Sequence, residues 1–374
     1  MTIMDRSILI KGDIIAIHPG KHIKDYLEDE EMSQTEFSKR MDISKGQVTK
    51  LINGEVDLTE NMITRLSDVT GISKEYWRHL NNIYLEKKYE INNYEKIEEE
   101  KKIAREIDYS FWTKLGILSS SSKAIDKVKN LRKYLNVSSL ETLKKPDLLT
   151  QYRKTTNKAQ EKNIVSINAW IQTAINLSKE DQVSEINLEY LLKKLPEIKA
   201  MTTSDPKVFL PKLKQIFSDS GVKFIFLPYL KNSELNGAVK WVNHSENVLL
   251  MMNNKQKASD VFWFSLFHEI RHVFQEKKKR IIITPSMKKM INGKENERLE
   301  KDADDFARKI LIDESEYKEF LAMGTINQKS IIKFAQDEGV HPGIVVGRLQ
   351  NDGHIGHDQF NSLKVKYVFK LINQ

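Results

Sequence analysis

The chain has 374 residues, 30% of them charged and 40% hydrophobic, with a formal net charge of +8 and no cysteine. That length accommodates two or three domains, each with its own core. The absence of cysteine excludes disulfides and thiolate metal ligands, so any metal must be held by His, Asp or Glu. No apolar run approaches the ~18 residues of a membrane span, and the opening residues lack a clear export cleavage site, so no membrane partner and a cytoplasmic location are expected.

No proline lies between Pro19 and Pro146, and the intervening sequence is rich in Leu, Lys, Glu and Ile, so this region reads as consecutive helices. Ser33 with Glu36, and Ser44 with Gln47, form capping-box patterns; Thr59 and Ser73 are caps for two further helices. Met41–Ile43 is a tight turn between the first two helices, Phe37, Met41, Val48 and Leu51 supply an apolar face, and Gly54 closes the second helix. Two short helices joined in this way form a helix-turn-helix, whose second helix can enter the major groove of double-stranded DNA. Its polar positions, Ser44, Lys45, Gln47, Thr49, Lys50 and Asn53, are candidate contacts to bases or phosphates. Gln34, at the start of the preceding helix, is placed for a phosphate.

Residues 84–107 carry dense mixed charge and read as a solvated helix that begins a helical connector over 84–205. Near residue 205 the pattern changes. "GVKFIFLPYL", "NGAVKWVN" and "ENVLLMMN" are short β-rich runs broken by Asn, Ser and Gly, and they read as a three-stranded antiparallel meander. Helical periodicity resumes at Ser259 and Asp260, either of which can cap the next helix.

That helix contains "HEIRH". His268 and His272 are one turn apart on one face, so both imidazoles can reach one ion, and Glu269 can take a proton from a water beside it. This is the spacing zinc peptidases use. A third ligand is required, and 295–305 offers Glu295, Glu297, Glu300, Asp302, Asp304 and Asp305. Ala303, Phe306, Ala307 and Ile310 mark a buried face that includes Glu300 and Asp304. Glu300 is therefore the candidate ligand, and Asp304 the acceptor that orients a ligand histidine. His341 either stabilises an oxyanion or caps a helix. "KKKR" at 277–280 reads as a solvated charge run.

Two resemblances follow from these motifs. Residues 18–80, through "HPG", "SQTEF", "LINGEVDLT" and "GISKEYW", resemble the HigA branch of the Xre/Cro helix-turn-helix antitoxins and repressors. That resemblance implies operator binding, commonly as a homodimer, autoregulation, and a cognate toxin as partner. Residues 206–350, through "FWFSLFHEIRH", "EKDADDFARKILI" and "HPGIVVGRLQ", resemble the ImmA/IrrE metallopeptidases, although Arg271 stands where a small glycine is frequent. This second resemblance implies a zincin-like fold, zinc on His268, His272 and Glu300, Glu269 as general base, and a repressor, antitoxin or other regulator as protein substrate. Prophages, stress responses and phage defence are its usual settings. The expected architecture is α+β and mainly α: an all-helical helix-turn-helix domain over 1–83, a connector over 84–205, and a peptidase-like domain over 206–374. The alternative is a non-enzymatic antitoxin or autorepressor whose zincin-like domain is a sensor or toxin-binding surface.

Overall fold

The computed structural model describes residues 7–145, 148, 158–242, 246–255, 257–275, 281–285 and 293–367. The charge run at 277–280 lies outside these. By internal packing the chain separates into two units, 1–100 and 101–374, so the stretch read as a connector contributes to both. The α+β, mainly α class holds. Among the described residues no helix is long and apolar enough to cross a membrane.

The first unit is not all-helical. Strands β1 (Ile8–Lys11) and β2 (Ile14–Ile17) pair antiparallel about a turn at Gly12, where φ is +59°. Two β-branched runs joined by Gly-Asp are a hairpin signal, which accounts for the difference from the helical expectation. Helices α1 (Pro19–Asp29), α2 (Gln34–Arg40), α3 (Lys45–Ile52), α4 (Glu60–Thr70) and α5 (Lys74–Asn92) follow, and α6 (Tyr94–Glu106) contains the boundary. Phe37, Met41, Val48, Leu51, Leu66 and Trp77 meet in one core.

Ser33, Thr59 and Ser73 cap α2, α4 and α5 as expected. Ser44 and Gln47 close a full capping box on α3. Only half of the other box forms, because Glu36 turns to Arg40 instead. Residues 84–107 are less solvated than their charge implies: Tyr84, Ile97, Ile103 and Ile107 are buried.

In the second unit, α7 (Ser110–Lys114), α8 (Ala124–Leu135), α9 (Lys158–Leu177), α10 (Leu188–Ala200) and α11 (Pro206–Asp219) precede the sheet. Strands β3 (Val222–Leu227), β4 (Leu235–Val242) and β5 (Asn247–Asn253) lie where the sequence predicts them. Helix α12 (Ser259–Phe274), strand β6 (Ile281–Pro285) and helices α13 (Gly293–Leu311), α14 (Glu314–Ala322), α15 (Gln328–Asp337) and α16 (Pro342–Asn351) complete it.

The strands do not form a meander. The sheet order is β3-β5-β4-β6, with β5 parallel to β3 and antiparallel to β4. The reason lies in β5, "NVLLMMN", which is buried along its whole length. A strand apolar on both faces belongs in the centre of a sheet covered on both sides. Val248, Leu250 and Met252 join a core with α10, α11, α12 and α16, whereas Leu249 and Met251 join a second core with Trp112, Leu131 and Trp170. Residues read as connector therefore supply one of the two layers over the sheet. Helix α12 begins after Ala258, and neither Ser259 nor Asp260 caps it. Asp260 pairs with Lys364, and the Ser259 N–H donates to the Val365 carbonyl.

Close approach of α1 and α3 yields a stability prediction. A Cβ at Gly20 would overlap the Leu51 carbonyl oxygen, a backbone atom that cannot rotate away. Gly20→Ala should cost about 1–3 kcal/mol by overpacking. Hydrogen exchange should speed up across α1 and α3 while the sheet of the second unit keeps its protection. Unchanged exchange in α3 would show that this approach does not limit the unit's stability.

Candidate functional site

Two surfaces carry the candidate chemistry, one in each unit. In the first, Val48, Leu51 and Ile52 anchor α3 in the core, while Ser44, Lys45, Gln47, Thr49, Lys50 and Asn53 are exposed. The helix is fixed by its own end. The Gln47 N–H donates to Ser44 Oγ at 3.2 Å, and the Ser44 N–H donates to Gln47 Oε1 at 3.0 Å. Thr49 Oγ1 donates to Gln34 Oε1 at 3.2 Å, joining α3 to the start of α2 and leaving the Gln34 NH₂ as a candidate donor to a phosphate. Asn53 is the C-cap, followed by Gly54 at φ +71°. The structure thus brings all seven sequence-predicted residues to one helix-turn-helix, with Gln34, Ser44, Gln47 and Thr49 also engaged within the protein.

In the second unit, α12 has twelve buried residues, among them His268, Glu269 and His272. Its apolar length places these three polar side chains inside a core, where each needs partners. The Nε2 atoms of His268 and His272 lie 3.0 Å apart, and Glu300 oxygens lie 3.4 Å from the first and 3.2 Å from the second. The three ligand atoms all fall within 4.8 Å of one another. On the opposite side of the rings, His268 Nδ1 meets Asp304 Oδ1 at 2.9 Å, and His272 Nδ1 meets Gln275 Oε1 at 2.7 Å. Acceptors at both Nδ1 atoms hold a ring proton there and direct each Nε2 at Glu300, as a donor to the carboxylate in the imidazolium form and as a lone pair in the neutral one.

Burial opposes charge on His268, yet hydrogen bonds to Asp304 and Glu300 outweigh it and raise its pKa. Burial likewise opposes ionisation of Glu300, and the two histidines overcome it and lower its pKa. The cluster therefore favours a carboxylate beside a cation. Two imidazoles and one carboxylate with no thiolate form a donor set that suits zinc in hydrolytic sites, so the residues present fit that ion.

Glu269 is fully buried on the side facing β4. Room for it depends on Gly237, where a Cβ would lie 2.5 Å from Glu269 Oε1. The β4–β6 register shifts between Leu235 and Gly237, and such irregularities commonly re-aim a strand beside a site.

Arg271 does not enter the cluster. Its guanidinium grips Asp302, with Nε to Oδ2 at 2.8 Å, and lies over the Phe306 ring. Asp302 also accepts from Gln275 Nε2 at 2.8 Å, which fixes the amide that holds His272. Sequence reasoning missed Gln275, although it stands three residues after His272 on the same helical face. It also missed Gly237, for which no local signal exists. His341 caps α16, its Nδ1 accepting from the Gly343 N–H at 3.1 Å. His18 does the same for α1, accepting from Gly20 at 2.9 Å.

Gln47 closes the capping box of α3 and is also a candidate base contact, which dictates the test of this surface. Alanine there would remove the capping box along with any base contact. Gln47→Glu retains an acceptor able to close the box but removes the amide donor. Its α3 should stay folded by circular dichroism, while affinity for a duplex selected by wild-type protein should fall by about 1–3 kcal/mol. Unaltered affinity and base preference would remove Gln47 from the reading surface.

Comparisons with known proteins reach the first unit. The helix-turn-helix family HTH_3 matches residues 23–77. An uncharacterised HTH-type transcriptional regulator of Escherichia coli K12, YddM, is 33% identical over 66 residues, which are 18% of this chain and 70% of the relative. A solved HigA-family addiction module antidote protein from Coxiella burnetii is 28% identical over 22% of this chain and 91% of that one, with a TM-score of 0.21. The matched residues span α2, α3 and α4 in full, including the capping box of α3. Through this N-terminal segment the chain belongs to the helix-turn-helix family of DNA-binding transcriptional regulators.

Proposed function

We propose that this regulator couples operator binding to a zinc-dependent peptidase domain of the ImmA/IrrE kind, which cleaves a regulatory protein (a repressor, an antitoxin or the chain itself) in response to a signal. The single observation that carries the reading is the convergence of His268, His272 and Glu300 within 4.8 Å beside a wholly buried Glu269. His268, His272 and Glu300 would hold the ion and leave a position open. Bound there, zinc would polarise a peptide carbonyl and acidify water.

The chain's own residues supply the rest. Asp304 and Gln275 hold the two imidazoles in the ligating tautomer. Glu269 takes the proton of the attacking water and delivers it to the departing amine nitrogen. Gly237 lets that carboxylate lie against β4 with no side chain between them. On the DNA side the reading is a homodimer on an operator with half-sites one helical turn apart.

Two measurements test this. Protein purified without chelator should carry about one zinc per chain by elemental analysis, as a three-ligand site with one open position requires. His268→Ala and His272→Ala should lose it, and Glu300→Ala should weaken it. Full occupancy after Glu300→Ala would exclude that residue from the ligand set.

Glu269→Gln should retain zinc, fold and DNA affinity, while cleavage of neighbouring gene products should slow by about 10²–10⁴. If wild type and Glu269→Gln relieve repression equally in stressed cells, and neither cleaves such a product, the peptidase reading fails. The chain is then a non-enzymatic autorepressor or antitoxin whose second unit senses a signal or binds a toxin.

A further inference from the structure

The turn between α2 and α3 contains Asp42 at φ +51°. This left-handed conformation favours glycine and is unfavourable for other L-residues, although aspartate visits it more readily than most. It sits at the joint that aims the reading helix. Two backbone bonds close it from within, the Asp42 N–H to the Lys39 carbonyl at 3.2 Å and the Ile43 N–H to the Ser38 carbonyl at 3.0 Å.

Arg65, on α4, reaches this joint from outside the two-helix motif. Its Nη1 donates to the Met41 carbonyl at 2.8 Å, to the Asp42 carbonyl at 2.7 Å, and lies 3.2 Å from Asp42 Oδ2. Its Nε donates to Asn61 Oδ1 at 2.9 Å, one turn back on α4, which sets the direction of the guanidinium. Met41 is the C-cap of α2, so its carbonyl belongs to the set that a helix end leaves without an intrahelical donor. The ion pair with Asp42 contributes little, because that carboxylate is 93% exposed and exposed pairs are weak. The two backbone acceptors therefore carry the effect: they are the atoms whose directions change if residue 42 leaves the left-handed region.

We infer that Arg65 is a positioning residue for DNA recognition: it pins the α2–α3 turn through the Met41 and Asp42 carbonyls and so sets the aim of α3. The rival role for an arginine beside a reading helix is a phosphate contact. The two differ in salt dependence. A phosphate contact contributes about 0.9 to the slope of log affinity against log salt, and a residue that acts through the turn contributes nothing. They also differ in rescue. Glycine at 42 adopts the turn without strain, so it can replace a brace but not a phosphate ligand.

The experiment uses the full chain and a duplex selected from a randomised pool by wild-type protein. Affinity is measured across a salt series for wild type, Arg65→Met, Asp42→Gly and the double variant. Arg65→Met keeps the aliphatic stem and removes the donors. Binding should weaken about five- to thirtyfold, the range obtained by converting a left-handed cost of about 1–2 kcal/mol at 1.4 kcal/mol per decade. The salt slope should stay at the wild-type value, and Asp42→Gly should restore most of the affinity of Arg65→Met. A slope lower by about one contact, or an unrescued double variant, overturns the inference in favour of a direct contact. So does wild-type affinity in Arg65→Met, or failure of the wild-type chain to select any duplex. If Arg65→Met unfolds the unit by circular dichroism and Asp42→Gly does not refold it, Arg65 holds the domain rather than the turn, and the inference is likewise overturned.

Discussion

The second unit depends on the burial of β5. Seven consecutive residues withdrawn from water on both faces require a paired strand on each edge and a cover on each side. The cover on one side includes α12, whose Phe262, Trp263, Leu266, Phe267 and Ile270 pack into the core shared with β3, β4 and β5. Those apolar contacts fix the rotation of α12 and thereby commit His268, Glu269 and His272 to the interior. The arrangement of polar groups follows from that commitment, since buried imidazoles and carboxylates must find hydrogen-bond partners or lose their charge. Helix α13 supplies the partners. It packs Ala303, Ala307 and Leu311 inward and brings Glu300 and Asp304 to the two histidines.

Local features of the chain were legible, and long-range ones were not. Ser33, Ser44, Thr59 and Ser73 each act on an N–H within three residues, so their positions could be read directly, and the helix-turn-helix with them. The convergence of Glu300 with the histidines was legible because the histidines stand one turn apart on α12 and α13 carries a distinct buried face through Ala303, Ala307 and Leu311. The order of the sheet was not. An apolar run such as β5 specifies burial on both faces but does not name its neighbours, and the parallel pairing with β3 depends on which helices cover it. For the same reason a charged helical stretch read as a connector turned out to include buried Ile103 and Ile107, which pack with Trp112 and Trp170. Arg65 carries no local signal at all, because its acceptors lie 23 and 24 residues back along the chain.

The two His-Pro-Gly triplets show how one local solution recurs in different cores. In each, histidine caps a helix through Nδ1, proline occupies the first turn where no donor is lost, and glycine allows another backbone to approach. At α1 that neighbour is Leu51 of α3; at α16 it is the chain at Leu363. His341 therefore needs no chemical role to explain its position.

The cluster on α12 holds its two histidines with unlike partners. His268 leans on a carboxylate, Asp304, whereas His272 leans on an amide, Gln275. An amide can present either end to an imidazole, so it orients a ring only when its own NH₂ is engaged. Here Gln275 Nε2 donates to the Leu299 carbonyl and to Asp302, and Asp302 is held by Arg271. Arginine at 271 therefore does not obstruct the cluster. Its side chain runs along α13, neutralises Asp302, and keeps the Gln275 oxygen directed at His272. The acidic run that looked like a surplus of candidate ligands is divided by geometry: Glu300 faces both Nε2 atoms, Asp304 supports one ring directly, and Asp302 supports the other through an amide.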